Sequence, residues 1–423
     1  MSDYQIVVIG AGASGLMAAI SAAEIGASVL LLEKKGAPAR KLAITGKGRC
    51  NLTNIAPLDE FIRRFGSNGK FLRQTFMRYF TDDLLEFLRK LGVETIRERG
   101  GRIFPKSENA NDVVDALISY AESKLVEINT NSIVSKLSVN AGKINGAFLR
   151  DGNYLPAKSV ILATGGASYP ATGSTGDGYR FAAEVGHNII PIRPSLVPLE
   201  IEDESKKSLS GLHLRNVWGK LLINGHKKQH RFGEITFINT GLSGPTILTM
   251  SKTAVDALDQ GREVSISIDL KPALDEKKLD ARLLREFDQN GKKKFSTILK
   301  SLLPVKLIPF CITSVGINPD KEACRITAAE RKRLRIWLKD MRLRVTGYRS
   351  FREAIITAGG VDLKEIDPRT MESRLIERLY FCGEVIDIDA DTGGYNLQAA
   401  FSTGWLAGKS AAENILLESK SNI

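Results

Sequence analysis

The chain has 423 residues, of which 43% are hydrophobic and 26% charged, so it is long enough for two or three domains and has the composition of a globular protein. Its formal net charge of +12 admits two readings, a nucleic-acid or anionic partner and a solvated basic surface with no specific partner. The second is favoured, because Lys and Arg are spread over many segments and the densest runs, Lys227-Lys228 and Lys292-Lys293-Lys294, are not interleaved with the aromatic residues that stacked bases need. Four scattered cysteines, Cys50, Cys311, Cys324 and Cys382, without CxxC spacing, speak against a zinc site, a redox dithiol or a secreted disulfide framework, and make a reducing cytoplasm the expected setting.

The chain begins with an apolar strand, Ile6, Val7, Val8 and Ile9, that runs into Gly10-Ala11-Gly12-Ala13-Ser14-Gly15 and a small-residue helix. This pattern predicts the βαβ unit of a dinucleotide site. Gly10 makes the turn, Gly12 admits a pyrophosphate to the backbone, and Gly15 lets helix and sheet pack closely. The helix N-terminus then offers unpaired N–H groups to the phosphates. A second strand, residues 29–32, ends in Glu33, an acidic residue placed to accept hydrogen bonds from an adenosine ribose. The stretch is poor in charge, but Asp3, Glu24 and the glycines argue against a signal peptide or membrane anchor, and no later stretch is long and apolar enough to span a bilayer.

A glycine-containing loop is expected over 40–54, helical patterns over 71–91 and 110–125, and short strands near 127–137, 144–149 and 159–164. The strand ending Ala163-Thr164-Gly165-Gly166 is small enough at its tip to pass close to a nucleotide. From residue 192 the texture changes to alternating strands (220–223, 234–238, 264–270) with many turn signals, an antiparallel module. Residues 275–341 read as helical and basic, broken at Pro304, Pro309 and Pro319, before a strand at 342–348. A buried parallel strand at 379–383 and a closing helix at 397–416 complete a nucleotide domain that the chain leaves and rejoins. Just before that helix, Gly383, Glu384 and Asp387 are followed by Gly393-Gly394-Tyr395-Asn396-Leu397. Asp387 would bond a ribityl chain, and the helix N-terminus would face the ring whose reduced form is anionic.

The segments GAGASGLMAA, RKLAITGKGRCNLTN, ATGGASYPATGSTGDGY, PSLVPL, TGLSGPTIL, AIITAGGV and YFCGEVIDIDADTGGYNLQAAFSTG resemble the aminoacetone-oxidase-like (BaiN/RdsA) family of bacterial NAD(P)/FAD-dependent oxidoreductases over essentially the whole chain. The resemblance implies an α/β fold: a glutathione-reductase-type, Rossmann-like FAD-binding domain in two parts, 1–191 and 349–423, with an inserted β-barrel-like module, 192–348, carrying a small helical subdomain at about 272–340. It implies noncovalent FAD on Gly10, Gly12, Ala13, Ser14 and Gly15 at the pyrophosphate, and on Glu33 and Lys34 at the adenosine end. Arg40, Lys41, Gly46, Arg49, Cys50 and Asn51 would run past the ribityl chain and flavin, Val134 would touch the adenine, and Ala163, Thr164 and Gly165 the adenosine side. Gly383, Glu384, Asp387, Gly394, Tyr395, Asn396 and Leu397 would hold the ribityl and isoalloxazine. Amine oxidation and enone reduction are both associated with members, and neither is carried over to this chain.

A disulfide reductase would need a second glycine-rich βαβ unit and a dithiol, so an NAD(P)H donor here would bind transiently over the flavin. The four histidines, His187, His213, His226 and His230, lack metal-ligand spacing, and no metal is expected. His213 is weighed as a substrate contact, a structural role being favoured for it, and Tyr169, Arg349 and Tyr395 are acid, base or substrate-binding candidates because they flank the flavin segments. The expected activity is hydride transfer between the flavin and a small organic substrate; an RNA-binding or RNA-modifying flavoprotein is the alternative from another class.

Overall fold

The computed structural model describes residues 4–202 and 206–421, so Asp3 of the opening stretch lies outside the described residues. The chain forms two compact units, Met1–Pro194 with Phe351–Ile423, and Ser195–Ser350.

The first unit is built on five parallel strands. Strand β1 (Ile6–Ile9) lies between β2 (Val29–Leu32) and Ser159–Leu162; Glu127–Asn129 extends the β2 side, and Leu379–Phe381 the other. The three central strands are wholly apolar but for Ser159 and are buried throughout, the near-continuous apolar run expected of a strand covered on both faces. Burying each of these Ile, Leu or Val side chains contributes about 1.5–3 kcal/mol. One face is covered by helix α1 (Ala13–Glu24), and the closing helix, Tyr395–Ser421, lies along α1. That second contact needs glycine: a Cβ on Gly404 would lie 2.2 Å from the Ser14 carbonyl oxygen, and one on Gly408 2.1 Å from that of Ala18.

Three elements differ from the sequence pattern. The helical run at 71–91 is two helices, Arg73–Arg78 and Thr81–Lys90, with Tyr79 extended between them. The Asp83 carboxylate accepts the Phe80 N–H (2.7 Å) and so starts the second helix, while the Tyr79 ring stacks on Trp405. The loop at 40–54 opens as a helix over Arg40–Gly48, with Leu42 buried, which breaks where Gly46 and Lys47 take positive φ. Residues 127–137 divide between the parallel sheet and a three-stranded antiparallel sheet that starts at Val134.

The second unit is a closed six-stranded barrel in the order Leu199–Ile201, Gly241–Ser243, His226–Ile238, His213–Ile223, Val264–Asp269, Met341–Tyr348, with every adjacent pair antiparallel. Leu221, Ile235, Phe237, Ile266 and Leu343 fill it. Four α-helices between Glu276 and Lys339 pack through Leu283, Phe295, Leu299 and Leu334. No helix among the described residues is long and apolar enough to cross a membrane.

Two predictions follow from this packing. Alanine raises helix propensity over glycine by about 1 kcal/mol. Gly408→Ala should nevertheless destabilise the protein by about 1–3 kcal/mol, since its Cβ must displace backbone. A urea midpoint that stays put or rises would show that the helix simply shifts. Burial pushes the thiols of Cys50, Cys311 and Cys382 up to about 12, while Cys324 is exposed. A chromogenic disulfide reagent should therefore label Cys324 rapidly in the native protein and the other three only on unfolding.

Candidate functional site

The site grows out of the carboxyl ends of the parallel strands. Gly10 N–H donates to Leu32 O (2.8 Å), Ala163 N–H to Ile9 O (2.9 Å) and Cys382 N–H to Leu162 O (3.0 Å), so the exits of three strands lie side by side. Gly10, at φ +103°, turns tightly here: a Cβ on it would sit 2.6 Å from Ala163 O, and one on Gly15 1.8 Å from Gly10 O. Gly12 is different. It has φ −81°, a Cβ on it would meet no atom within 4 Å, and no side chain caps the helix that starts at Ala13. The loop thus leaves an open cradle before a helix N-terminus, which fits an anionic diphosphate. Ser14 is buried beneath it, against Gly383.

Around the cradle the predicted residues fall into three groups. At the β2 end, Glu33 accepts the N–H groups of Ala11 (3.2 Å) and Lys35 (2.8 Å), which fixes its carboxylate against the glycine turn. Lys34 donates to Asp177 (2.7 Å). Ser132 N–H donates to Glu33 O (2.9 Å), which brings the chain leading into Val134 beside this end, and Gly165 lies near Ser174, with Thr164 against Gly178.

The second group is a polar network. Lys41 Nζ donates to Glu384 Oε2 (2.6 Å) and Ser168 Oγ (2.7 Å). Glu384 Oε1 accepts from Ser168 Oγ (2.8 Å) and Thr357 N–H (2.7 Å), and Thr357 Oγ1 accepts the N–H groups of Ala167 and Ser168. Asp387 accepts from Asn68 Nδ2 (2.9 Å) and Gly359 N–H (3.1 Å). Ser168 and Thr357 lie within the segments ATGGASYPATGSTGDGY and AIITAGGV without being singled out there as site residues, and Asn68 lies in none of the quoted segments.

The third group is the turn before the closing helix. Asn396 closes it by a reciprocal pair, donating to Ala390 O (3.0 Å) and accepting Ala390 N–H (2.8 Å). A Cβ on Gly394 would lie 2.3 Å from Thr53 O, so residues 51–53 pass directly against this turn. Asn51 Oδ1 and Gln398 Oε1, on these two segments, are buried acceptors with no donor among the described residues. Two unmet acceptors beside a helix start fit a ligand with N–H groups at its polar edge.

Other candidates have local duties. Arg49 donates to Glu98 and Glu108 and lies over the Phe104 ring, and Cys50, buried at φ +60°, keeps its proton. Arg40 is exposed at its helix start. Tyr395 packs edge-on to Phe61, with burial raising its phenol above the ordinary range; Leu397, two residues on, is half-buried. Tyr169 is held at φ +52°, its N–H on Phe351 O. Arg349 pairs with Glu200 at 2.8 Å. His213 is exposed and bonds Thr236, whereas His187 is buried between Glu365 (3.0 Å) and Ser373 (2.8 Å), and burial lowers its pKa.

Residues 4–410 match the model of the HI0933-like protein Rossmann domain. A 3-dehydro-bile acid delta(4,6)-reductase of Clostridium scindens is 33% identical over 97% of this chain and 99% of its own. A ribosomal RNA dihydrouridine synthase of Escherichia coli is 30% identical, over 96% of this chain and 97% of its own. Among solved structures, a 3-ketosteroid delta1-dehydrogenase from Sterolibacterium denitrificans (TM-score 0.55, 13% identity, 97% of this chain and 99% of that one) shares the fold. So does a flavocytochrome c3 fumarate reductase (0.53, 18%, 98% of this chain and 78% of that one). With the glycine cradle, the parallel sheet and a match along nearly its whole length, the chain belongs to the HI0933-like family of FAD-dependent oxidoreductases.

Proposed function

We propose that the chain binds FAD noncovalently along the carboxyl edge of its parallel sheet and reduces a polarised carbon–carbon double bond in a small organic substrate, with NAD(P)H as transient donor. The observation that carries this reading is the open cradle at Gly12 in front of an uncapped helix, beside a turn at Gly10 that has no room for a Cβ. FAD, when bound, supplies the hydride exchange.

The chain's own residues position and tune. The α1 N-terminus and Gly12 would hold the diphosphate, Glu33 the adenosine ribose, and Asp387 the ribityl chain, its carboxylate already oriented by Asn68 and Gly359. The Lys41–Glu384 pair, half-buried and tied to Ser168 and Thr357, would keep the segments around the ring in register, and the closing helix would present its N-terminus to the ring's polar edge. The reaction class is supported by the names of two relatives, a delta(4,6)-reductase and a dihydrouridine synthase, since both describe hydrogen added across a double bond. A second reading, with a base in RNA as acceptor, is supported by the second of these names and by the net charge of +12.

Purified protein should be yellow and release FAD, not FMN, on acid denaturation. Gly12→Val should remain folded, because a Cβ there meets no atom within 4 Å, yet lose nearly all bound FAD, because the branched side chain fills the cradle. Normal flavin content in this variant would sink the assignment of the loop. Anaerobic reduction by NADH or NADPH, followed by reoxidation with an enone or with uridine-containing RNA, separates the two acceptors. Reduction without reoxidation by either would reject the proposed reaction.

A further inference from the structure

A second pocket lies wholly within the barrel unit and owes nothing to the glycine cradle. It encloses about 580 Å³, within the range of small-ligand sites, and is lined by Trp218, Phe232, Leu270, Leu274, Lys271 and Arg282 among others. Strand pairing builds its floor. Trp218 stands directly across from Phe232 on the neighbouring strand, with ring centroids 5.5 Å apart at 61°, while the flanking Val217 and Gly219 turn into the barrel. Phe232 is 52% exposed, a large aromatic surface left uncovered. Its wall is the segment after Val264–Asp269 together with the helix Glu276–Gln289.

Two cations converge on this wall. Lys271 and Arg282 are half-buried, and among the described residues neither side chain has an acidic partner. Of the carboxylates nearby in sequence, Asp269 pairs with Lys339 at 2.6 Å, Asp280 with Arg331 at 3.2 Å and Arg335 at 3.4 Å, and Glu276 with Arg335 at 3.7 Å, while Asp275 accepts the Lys278 N–H and Glu286 the Ser301 hydroxyl. Burial, and next the Arg282 guanidinium, hold the Lys271 ammonium below its ordinary range. Two like charges brought together out of water raise the energy of the empty pocket, and a bound anion would relieve both the desolvation and the repulsion. A guanidinium and an ammonium on one side of a pocket, with an indole and a phenyl ring on the other, match a ligand that is anionic at one end and flat and aromatic at the other.

We infer that this pocket binds a nucleotide, with its phosphate between Lys271 and Arg282 and its base against Trp218 and Phe232. The site is independent of the flavin reading. The same chemistry is offered by a free mononucleotide and by one unit of an RNA strand, and the test distinguishes them.

Calorimetric titrations on the FAD-loaded protein should use AMP, adenosine and a short 5′-phosphorylated oligoadenylate. AMP should saturate one site, and adenosine should bind at least about tenfold more weakly for want of the charge-assisted bonds. The double variant Lys271→Gln/Arg282→Gln should lose that same factor for AMP and leave adenosine unchanged. Trp218→Ala should weaken both, since stacking is common to them. Flavin content and melting temperature confirm that each variant is folded and loaded. Tighter binding of the oligonucleotide than of AMP, lost in the same double variant, assigns the pocket to RNA, and equal or weaker binding assigns it to a free nucleotide. AMP that fails to saturate by concentrations on the order of 1 mM, or that binds the double variant as well as the parent, overturns the inference.

Discussion

The structure of the first unit depends on how closely backbone can approach backbone at one edge of a parallel sheet. Gly10, Gly15 and Ala163 bring two strand exits and the start of α1 within van der Waals contact, and Gly404 and Gly408 bring the closing helix onto the same helix from the other side. Each approach removes a side chain, and with it the hydrophobic gain that side chain would supply. What is gained is a helix N-terminus whose N–H groups are aimed at one point and cannot move away from it. Electrostatic recognition of a diphosphate is worth most when its donors are already ordered, because no entropy is then lost in arranging them. The small residues that weaken this region as a core are those that make it a site.

The polar network beside the cradle follows the opposite logic. Lys41, Glu384, Ser168 and Thr357 come from four separate segments, and each of their buried groups has a partner. A half-satisfied version would be costly in a place with little water, so the loss of any one member exposes the others. This couples the helix after β2, the strand exit at Ala163 and the segment around Asp387, which are also the segments that carry the predicted cofactor residues. Their mutual position is therefore set by charge and hydrogen bonding, whereas the cradle itself is set by sterics.

This division explains what the sequence makes legible. The glycine turn, Glu33 and the Gly-Gly-Tyr-Asn segment are readable because each is a local requirement: a turn angle, a strand end, a helix start. Ser168 and Thr357 are not readable as partners, although both lie in the family segments, since their bond joins residues 189 apart. The helix break at Tyr79 is hidden for a related reason: apolar spacing continues through 71–91, and only the Asp83 cap and the Trp405 stack, the latter a tertiary contact, stop the first helix. Arg349 stands out only by its place in the chain, and its ion pair with Glu200 likewise depends on a partner far away in sequence.

The basic surface is the sharpest case. Runs such as Lys292-Lys293-Lys294 attract attention in the sequence, yet a contiguous run on a solvated segment gains little from any one anion, being screened by salt. Lys271 and Arg282 are inconspicuous there because they lie in different elements, as do Trp218 and Phe232, which only antiparallel register brings together. Barrel closure places these four side chains around one pocket and strips them of part of their water, so that each charge counts for more than the longer runs do. A net charge of +12 therefore says less about partners than where the fold leaves a cation half-buried and without a carboxylate.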